Sequence, residues 1–435
     1  MKNLVHLTRV PFLLLLTLSI NSCKDIDDTI SLPNAEDLIQ KDSELFNLLE
    51  RVTKEEDDPL QDIVCIDFIY PLHLVIYDAN LNSIGSVTII GDDNFSAFLS
   101  ILQPDQSLSI SYPISTTLSD GTEFTVNNNA ELKLAIDSCS REDIISYCNG
   151  FFCTSSPSIT TPCVWKVQYD INGDNRYLSG YFDANVDGTI NFYYNGQQYL
   201  GSWTFLFVND EFHININLAG TSQVALDWNI DRKVIIAGDE IIIDNLPKNI
   251  HLKKSCQTIN TYVIGDVGPA GGIVFYDKGS YSDGWRYAET ATADLADFQW
   301  GCVTSSITNA QNNNIGKGMY NSGSILNFHD TILNFYTNPS VCDVANNGTV
   351  AARETLGYQI NGVKDWFLPS HYELLLLYTN LHQQNLGNFS NTVYWSSTEN
   401  DAATVKTIDF SDGQMYNTSK APVSGSVKTR CIRYF

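Results

Sequence analysis

Residues 189–218 read TINFYYNGQQYLGSWTFLFVNDEFHININL, and this stretch decides the fold of the middle of the chain. Apolar and polar residues alternate within it through three successive runs, at 190–194, 203–207 and 212–218. A period of two residues is typical of β-strands that bury one face. Similar runs recur throughout residues 163–256. Seven to nine short strands in sequence predict an antiparallel meander that closes on itself as a barrel.

The barrel region also resembles a known kind of domain. The phrases DGTINFYYNGQQYLGSWTF (187–205) and LKKSC (252–256) are similar to those of lipocalin-like domains, and we place this domain at 160–257. A barrel of about eight strands either holds one small ligand or is filled by side chains. Trp203 and Trp228 are large enough to occupy the interior, so a filled barrel is favoured.

The first residues have the pattern of an export signal. Lys2 and Arg9 precede an apolar run at 11–20, which is too short to span a bilayer. Ile20-Asn21-Ser22-Cys23 then resembles a lipobox, which implies a signal peptide at 1–22 and a lipid on Cys23. The alternative is an ordinary secretory signal. The acidic residues after Cys23 resemble the export tag of Bacteroidetes-type surface lipoproteins, so we expect an outer-membrane lipoprotein on the cell surface, or else on the periplasmic face.

The composition excludes some partners. The chain has 50 acidic and 25 basic residues, a formal charge of -25, which repels nucleic acid and anionic membrane surfaces. A hydrophobic content of 43% still permits packed cores. The expected membrane contact is therefore the lipid anchor alone.

Two further regions precede the barrel. Residues 23–58 are acidic and are interpreted as a tether, and 59–146 is predicted to be a small α+β domain. CIDFIYPLHLVIYDAN (65–80) resembles segments of uncharacterised flavobacterial lipoproteins. The predicted fold class is multidomain and mainly β, with this α+β domain, the antiparallel barrel and a C-terminal domain at 261–435.

Ten cysteines fit an exported protein. Apart from Cys23, the candidate disulfides each bracket one apparent unit: Cys65–Cys139, Cys163–Cys256 and Cys302–Cys342.

The C-terminal domain contains five ordered motifs: IGDVGPAGGIVFYD (264–277), GWRYAE (284–289), DWFLPSHYELLLLY (365–378), YWSSTE (394–399) and RCIRYF (430–435). Together they resemble the Legionella collagen-like adhesin C-terminal domain family, which implies a C-type-lectin-like α+β fold and an adhesive function. Some members bind sulfated glycosaminoglycans. This chain has no Gly-X-Y stalk, and Lys420, Lys428, Arg430 and Arg433 form its one local basic cluster near the end, so polyanion binding is in doubt.

Two local patterns in this domain have structural explanations. Ser370 and Glu373 have capping-box spacing and predict a helix at 371–379. The glycines at 265–272 lack the spacing of a phosphate loop and are interpreted as turn residues.

In the lectin-like reading, the ligand surface lies in loops at 308–350 and 388–420. The candidate ligand-binding residues are Trp300, Trp395, Ser397, Glu399, Tyr416 and Arg430.

No hydrolase, zinc-protease, Walker or kinase motif occurs, so no enzymatic activity and no cofactor are expected. Cys302, Cys342 and Cys431 leave formylglycine-generating chemistry as a remote alternative. Asp183, Asn185 and Asp187 match the opening of a calcium loop, but a hairpin turn explains them better.

The leading hypothesis is therefore a lipid-anchored surface protein for binding or adhesion, whose C-terminal domain recognises an extracellular glycan or a surface protein. The alternative is a carrier of a small apolar ligand within the barrel.

Overall fold

A computed structural model describes residues 37–54, 66–118, 121–137, 141–154, 161–209, 211–421 and 426–435. The predicted signal peptide, the lipidation site at Cys23 and the pair Cys65–Cys139 lie outside these residues. Among the helices described, none is both long enough and apolar enough to span a membrane.

The N-terminal unit is a small α+β structure with its own core. Its elements are β1 (Ile39–Gln40), α1 (Glu44–Val52), β2 (Ile66–Phe68), β3 (Leu72–Tyr77), β4 (Ser83–Ile89), α2 (Asp92–Ile101), β5 (Ser107–Ile110), β6 (Ile114–Leu118), β7 (Glu123–Val126) and α3 (Asn129–Asp137). They form two sheets, in the orders β1-β5-β3-β4 and β2-β6-β7. Helix α1 lies in the range interpreted as a tether, yet Phe46 and Leu49 are buried in the core of this unit.

Eight strands form a closed antiparallel barrel, as the alternating sequence predicts. The elements of this region are α4 (Arg141–Phe152), β8 (Cys163–Gln168), β9 (Tyr181–Ala184), β10 (Thr189–Tyr194), β11 (Gln197–Val208), β12 (Glu211–Leu218), α5 (Gln223–Asp227), β13 (Ile230–Ala237), β14 (Glu240–Ile243) and β15 (Ile250–Cys256). Each strand pairs with the next, and β15 pairs with β8 to close the barrel. The predicted class, a mainly β multidomain protein with an antiparallel barrel, is confirmed.

One predicted strand of the barrel is a helix instead. Alternating apolar residues at 224, 226, 228 and 230 predict a strand, but residues Gln223–Asp227 form α5. Ser222 precedes this helix, and its hydroxyl accepts a hydrogen bond from the Ala225 amide at 3.2 Å. A serine N-cap satisfies an amide that the first turn would otherwise leave unpaired, so it favours the helix over the local alternation.

The C-terminal unit is α+β. Its elements are β16 (Ile273–Ser282), β17 (Trp285–Thr290), α6 (Gly318–Asp330), α7 (Ala351–Leu356), α8 (His371–Asn380), β18 (Val393–Glu399), β19 (Thr404–Asp409), β20 (Met415–Ser419), β21 (Val427–Lys428) and β22 (Ile432–Tyr434), with 3₁₀ turns at Pro339–Val341 and His382–Gln384. The sheets have the orders β16-β17-β22 and β20-β19-β18-β21. The helix predicted from the capping box is confirmed, because Ser370 and Glu373 make both of its hydrogen bonds.

The barrel and the C-terminal unit pack side by side and share one hydrophobic core. A Cβ atom added to Gly323 in α6 would lie 3.0 Å from the Cβ of Leu178, which precedes β9. Nearby, the rings of Tyr194 and Tyr320 are 5.5 Å apart. The C-terminal unit is therefore built against the side of the barrel.

Two disulfides connect the same pairs that the sequence proposed. Cys163–Cys256 joins β8 to β15, the first and last strands of the barrel, and Cys302–Cys342 closes a loop of the C-terminal unit. Cys302 and Cys342 are joined in a disulfide, and Cys431 is buried. The remote alternative of formylglycine-generating chemistry therefore loses two of its three candidate cysteines.

Candidate functional site

The tryptophans expected to form a ligand platform are core residues. Trp300 and Trp395 are both fully buried. The Trp300 indole donates to the Ser396 carbonyl at 2.8 Å, and the Trp395 indole donates to the Phe298 carbonyl at 2.9 Å. Because these groups are already satisfied inside the domain, the assignment of both tryptophans to a ligand surface is corrected.

Ser397 and Glu399 are also buried. The Glu399 carboxylate contacts the Lys420 ammonium at 2.6 Å, and both side chains are fully enclosed. It also accepts the Ile307 amide at 2.9 Å. The Ser397 hydroxyl donates to the Pro369 carbonyl at 3.2 Å. These contacts tie the 300–310 segment and α8 to β18, so both residues have structural roles.

Arg430 and Tyr416, the last two candidates, lie in different environments. The Arg430 guanidinium is buried against the Phe389 ring and contacts the Asp294 carboxylate at 2.6 Å. It also donates to the Gly387 carbonyl at 2.8 Å, so it holds a loop rather than an external ligand. Tyr416 is exposed on β20, and it is the one candidate of the six that faces solvent.

The calcium candidates form a hairpin turn between β9 and β10. The Asp183 carboxylate accepts the Thr154 hydroxyl at 2.7 Å, whereas Asp187 accepts the Thr189 hydroxyl at 2.6 Å. The Asn185 amide donates to the Thr189 carbonyl at 2.9 Å, as in a hairpin. Over the described residues, no group of three or more acidic, histidine or cysteine side chains has the arrangement of a metal site.

Side chains occupy the barrel interior. Phe152, from the last turn of α4, lies with its ring 5.4 Å from Trp165 and 4.8 Å from Trp203. The Trp165 indole donates to the Phe152 carbonyl at 2.8 Å. At another level, Trp228 packs 4.7 Å from Phe182. These aromatic contacts are those of a packed core, as the filled-barrel reading expected.

A cavity of about 910 Å³ lies outside the barrel, between its wall and the C-terminal unit. Outward-facing residues of β8, β9, β10 and β15 form one wall, and β16, β17, β22 and the segments before α6 and α8 form the other. Its volume falls within the range of about 300–1,000 Å³ that is usual for small-molecule sites.

The cavity is cationic although the chain is strongly acidic. Among the residues that the structure describes, seven basic ones line it: Lys166, Lys253, Lys254, Lys278, Lys317, Lys364 and Arg433. Three acidic residues oppose them, Glu240, Asp283 and Asp365, so the lining has a net charge of +4. A low-dielectric cleft lined mainly by one sign of charge concentrates ions of the opposite sign.

Lys166 is the most unusual of these residues. It is half-buried and projects from β8 directly opposite Lys253 of β15, and like charges in this register repel. Burial, with smaller contributions from the nearby Arg433 and Lys278, lowers its pKa to about 8 against the opposing effect of Asp365. Over the described residues, no ion pair or hydrogen bond engages its ammonium group.

An ion network forms the adjoining wall. The Arg433 guanidinium binds both oxygens of Asp365, at 2.6 and 3.0 Å, and the Glu289 carboxylate at 2.7 Å. Burial alone would raise the pKa of Asp365, but the guanidinium outweighs burial and holds this pKa below its ordinary value. The Asp365 carboxylate also attracts Lys166 through space, but among the described residues no ion pair or hydrogen bond joins the two.

The glycines of the first C-terminal motif make room for this network. A Cβ atom on Gly268 would lie 2.4 Å from a carboxylate oxygen of Glu289. Instead, the Gly272 amide donates to that carboxylate at 2.8 Å. Glycine is therefore required in this turn because the buried Glu289 carboxylate lies too close for a side chain.

Glu373 and Tyr434 complete this wall next to the cavity. The Tyr434 hydroxyl donates to the Glu373 carboxylate, which also accepts the Gly316 amide at 2.6 Å. Burial raises the pKa of Glu373, and it raises the pKa of Tyr434 well above its ordinary value. The Tyr434 ring stacks on Trp285 with ring centroids 4.3 Å apart, and the Lys278 ammonium lies 4.0 Å from the centroid of the Trp285 ring.

Sequence reasoning did not identify the cavity lysines. Lys253 and Lys254 are part of the LKKSC phrase, and Arg433 belongs to the terminal basic cluster, so each was visible as a motif residue. Lys166 carried one available signal: it occupies an outward position of a strand whose inward positions are Trp165 and Val167. The outward position alone does not show which residues cover the Lys166 side chain.

Comparisons with known proteins add little. No family model matches this chain, and no curated protein matches it. Among solved structures, a fimbrial protein from Bacteroides ovatus aligns with 56% of this chain and 77% of its own, at 10% sequence identity and a TM-score of 0.25. A TM-score of 0.25 does not establish a common fold. The resemblances to lipocalin-like domains and to the Legionella collagen-like family therefore stay predictions.

Proposed function

We propose that this chain is an exported, lipid-anchored binding protein of the outer membrane that recognises an extracellular glycan or surface protein, with no enzymatic activity. The lipobox at Cys23 and the acidic residues after it support export and anchoring. The interdomain cavity of about 910 Å³ is the observation that carries the binding function. It brings aromatic walls and convergent charged and neutral polar groups together in one cleft, and ligand sites use such polar groups to fix orientation and specificity.

The two other proposals from the sequence have weaker support. A carrier of an apolar ligand needs space inside the barrel, where Phe152, Trp165 and Trp203 pack against one another. A ligand surface on loops 308–350 loses Gly318–Asp330 to α6, in which Tyr320, Ile325 and Leu326 are buried, so the exposed loop that remains lies mainly at 331–349. The cavity is accordingly the preferred site.

Glycan-array binding of the soluble chain that starts after Cys23 tests this function. The barrel and the C-terminal unit share a core, so the chain is used whole, with and without calcium and at two salt concentrations. Gln168→Trp fills the cavity from the barrel wall, and Gln383→Trp is the matched control because Gln383 is exposed and outside the lining.

We expect selective binding that Gln168→Trp abolishes and Gln383→Trp preserves. Binding that survives Gln168→Trp unchanged contradicts the cavity as the site. A folded chain that binds no glycan contradicts glycan recognition, and a surface protein then becomes the ligand to seek. Calcium-dependent binding would contradict the absence of a metal cofactor.

A further inference from the structure

Resting on the function proposed above, we propose that the cavity selects a sugar acid, a saccharide of one to three rings whose carboxylate pairs with Lys166. The inference starts from a group that has no counterion. The Lys166 ammonium faces the cavity, and within the described part of the chain it has no carboxylate contact and no hydrogen bond. A cation taken out of water is costly unless an anion or a set of hydrogen bonds compensates it.

The charged groups around Lys166 increase the need for an anion. Lys253 lies directly across the strand pair, and its ammonium is held by Asp239 at 2.7 Å outside the lining. Lys278 and Arg433 approach from the C-terminal unit, and Asp365 is the one acidic group there that acts on Lys166. Arg433 already holds both Asp365 oxygens, and Asp283 pairs with Lys278 at 3.5 Å, so among the described residues neither carboxylate engages the Lys166 ammonium.

The C-terminal wall contributes two more lysines, the half-buried Lys317 and the exposed Lys364. Lys317 is the residue just before α6, and Lys364 is the residue just before Asp365 in the sequence. Like Lys166, they make no ion pair with any residue that the structure describes. A Cβ atom on Gly284 would lie 3.0 Å from Lys166 Cε, so the β16–β17 turn closes directly over this side chain. An anion bound here contacts both walls of the cavity.

The neutral groups of the lining favour a saccharide over other anions. Tyr181 and Tyr193 stack at 4.9 Å on the outer face of the barrel and form a flat aromatic wall. Gln168, Asn195 and Gln197 add amides, which can donate to and accept from sugar hydroxyls. Phosphate is less well matched, because Asp365 occupies the guanidinium fork of Arg433. A cavity of about 910 Å³ accommodates a few rings rather than a long polymer.

Calorimetric titration of the soluble chain with three probes tests the proposal. Trigalacturonate has rings and carboxylates, galactotriose has the rings alone, and triglutamate has carboxylates alone. We expect trigalacturonate to bind at least tenfold more tightly than either of the others. Lys166→Met should weaken its binding at least tenfold, whereas Lys166→Arg, which keeps the charge, should retain most of it.

Lys248→Met is the matched control, because Lys248 is exposed on the same barrel and does not line the cavity. It should leave binding unchanged. Equal binding of trigalacturonate and galactotriose would overturn selection of an acid but leave the proposed binding function intact. Equal binding of triglutamate would overturn the saccharide assignment. If the folded chain binds neither trigalacturonate nor triglutamate, the inference is overturned. The glycan array tests the proposed function separately.

Discussion

Replacing Lys166 with methionine should make the protein more stable while it weakens the binding of trigalacturonate at least tenfold. The folded structure holds the pKa of Lys166 at about 8, compared with 10.5 for the free side chain. At about 1.4 kcal/mol for each tenfold change, this difference corresponds to about 3 kcal/mol of destabilisation at pH 7. Water in the cavity screens part of the charge, so we expect Lys166→Met to raise the free energy of unfolding by about 2–3 kcal/mol.

The lowered pKa of Lys166 also determines how the stability gain of the methionine variant changes with pH. Because the folded-state pKa of Lys166 lies below the unfolded value, the cost is fully present below pH 8 and disappears as the pH rises towards 10.5. The advantage of the methionine variant should therefore shrink to below about 1 kcal/mol at pH 10. Urea denaturation of both proteins at pH 7 and pH 10 measures this difference, and titrations common to both proteins cancel.

Lys248→Met is again the control and should change the free energy of unfolding by less than about 0.5 kcal/mol, as exposed substitutions usually do. Two results would refute the reasoning about Lys166. One is a methionine variant that is no more stable than the parent at pH 7. The other is a stability gain that is the same at pH 10 as at pH 7.

Three other substitutions test the structural framework, each by urea denaturation. Arg433→Gln leaves two carboxylates in the cavity wall without their cation and should cost about 3–5 kcal/mol; a loss below about 1 kcal/mol would contradict the network. Ser370→Ala removes the N-cap of α8 and should cost about 0.5–2 kcal/mol, and no loss would show that the cap contributes nothing. Replacing Cys163 and Cys256 together by serine opens a loop of 93 residues and should cost about 4–5 kcal/mol, whereas an unchanged midpoint would rule out the disulfide in solution.

Some errors in the sequence-based site have a clear origin. The lectin-like reading predicts Trp300 and Trp395 as aromatic platforms for a ligand, but both have indole groups bonded inside the domain. The same reading predicts ligand-binding loops at 308–350, yet Gly318–Asp330 within this stretch forms α6. Tertiary packing overrides weak local propensity, and here Tyr320, Ile325 and Leu326 anchor the helix in the cores.

The sequence by itself determined the barrel and the capping box of α8, because these features depend on local alternation and on residues three positions apart. It offered Cys163–Cys256 as a candidate pair, and the structure established that pairing. Only the tertiary structure decided that the outer face of β8 is covered and that Lys166 faces Lys278 and Arg433. Strand alternation distinguishes the two faces of a strand. What covers the outer face depends on side chains more than a hundred residues away, and no local pattern records that contact.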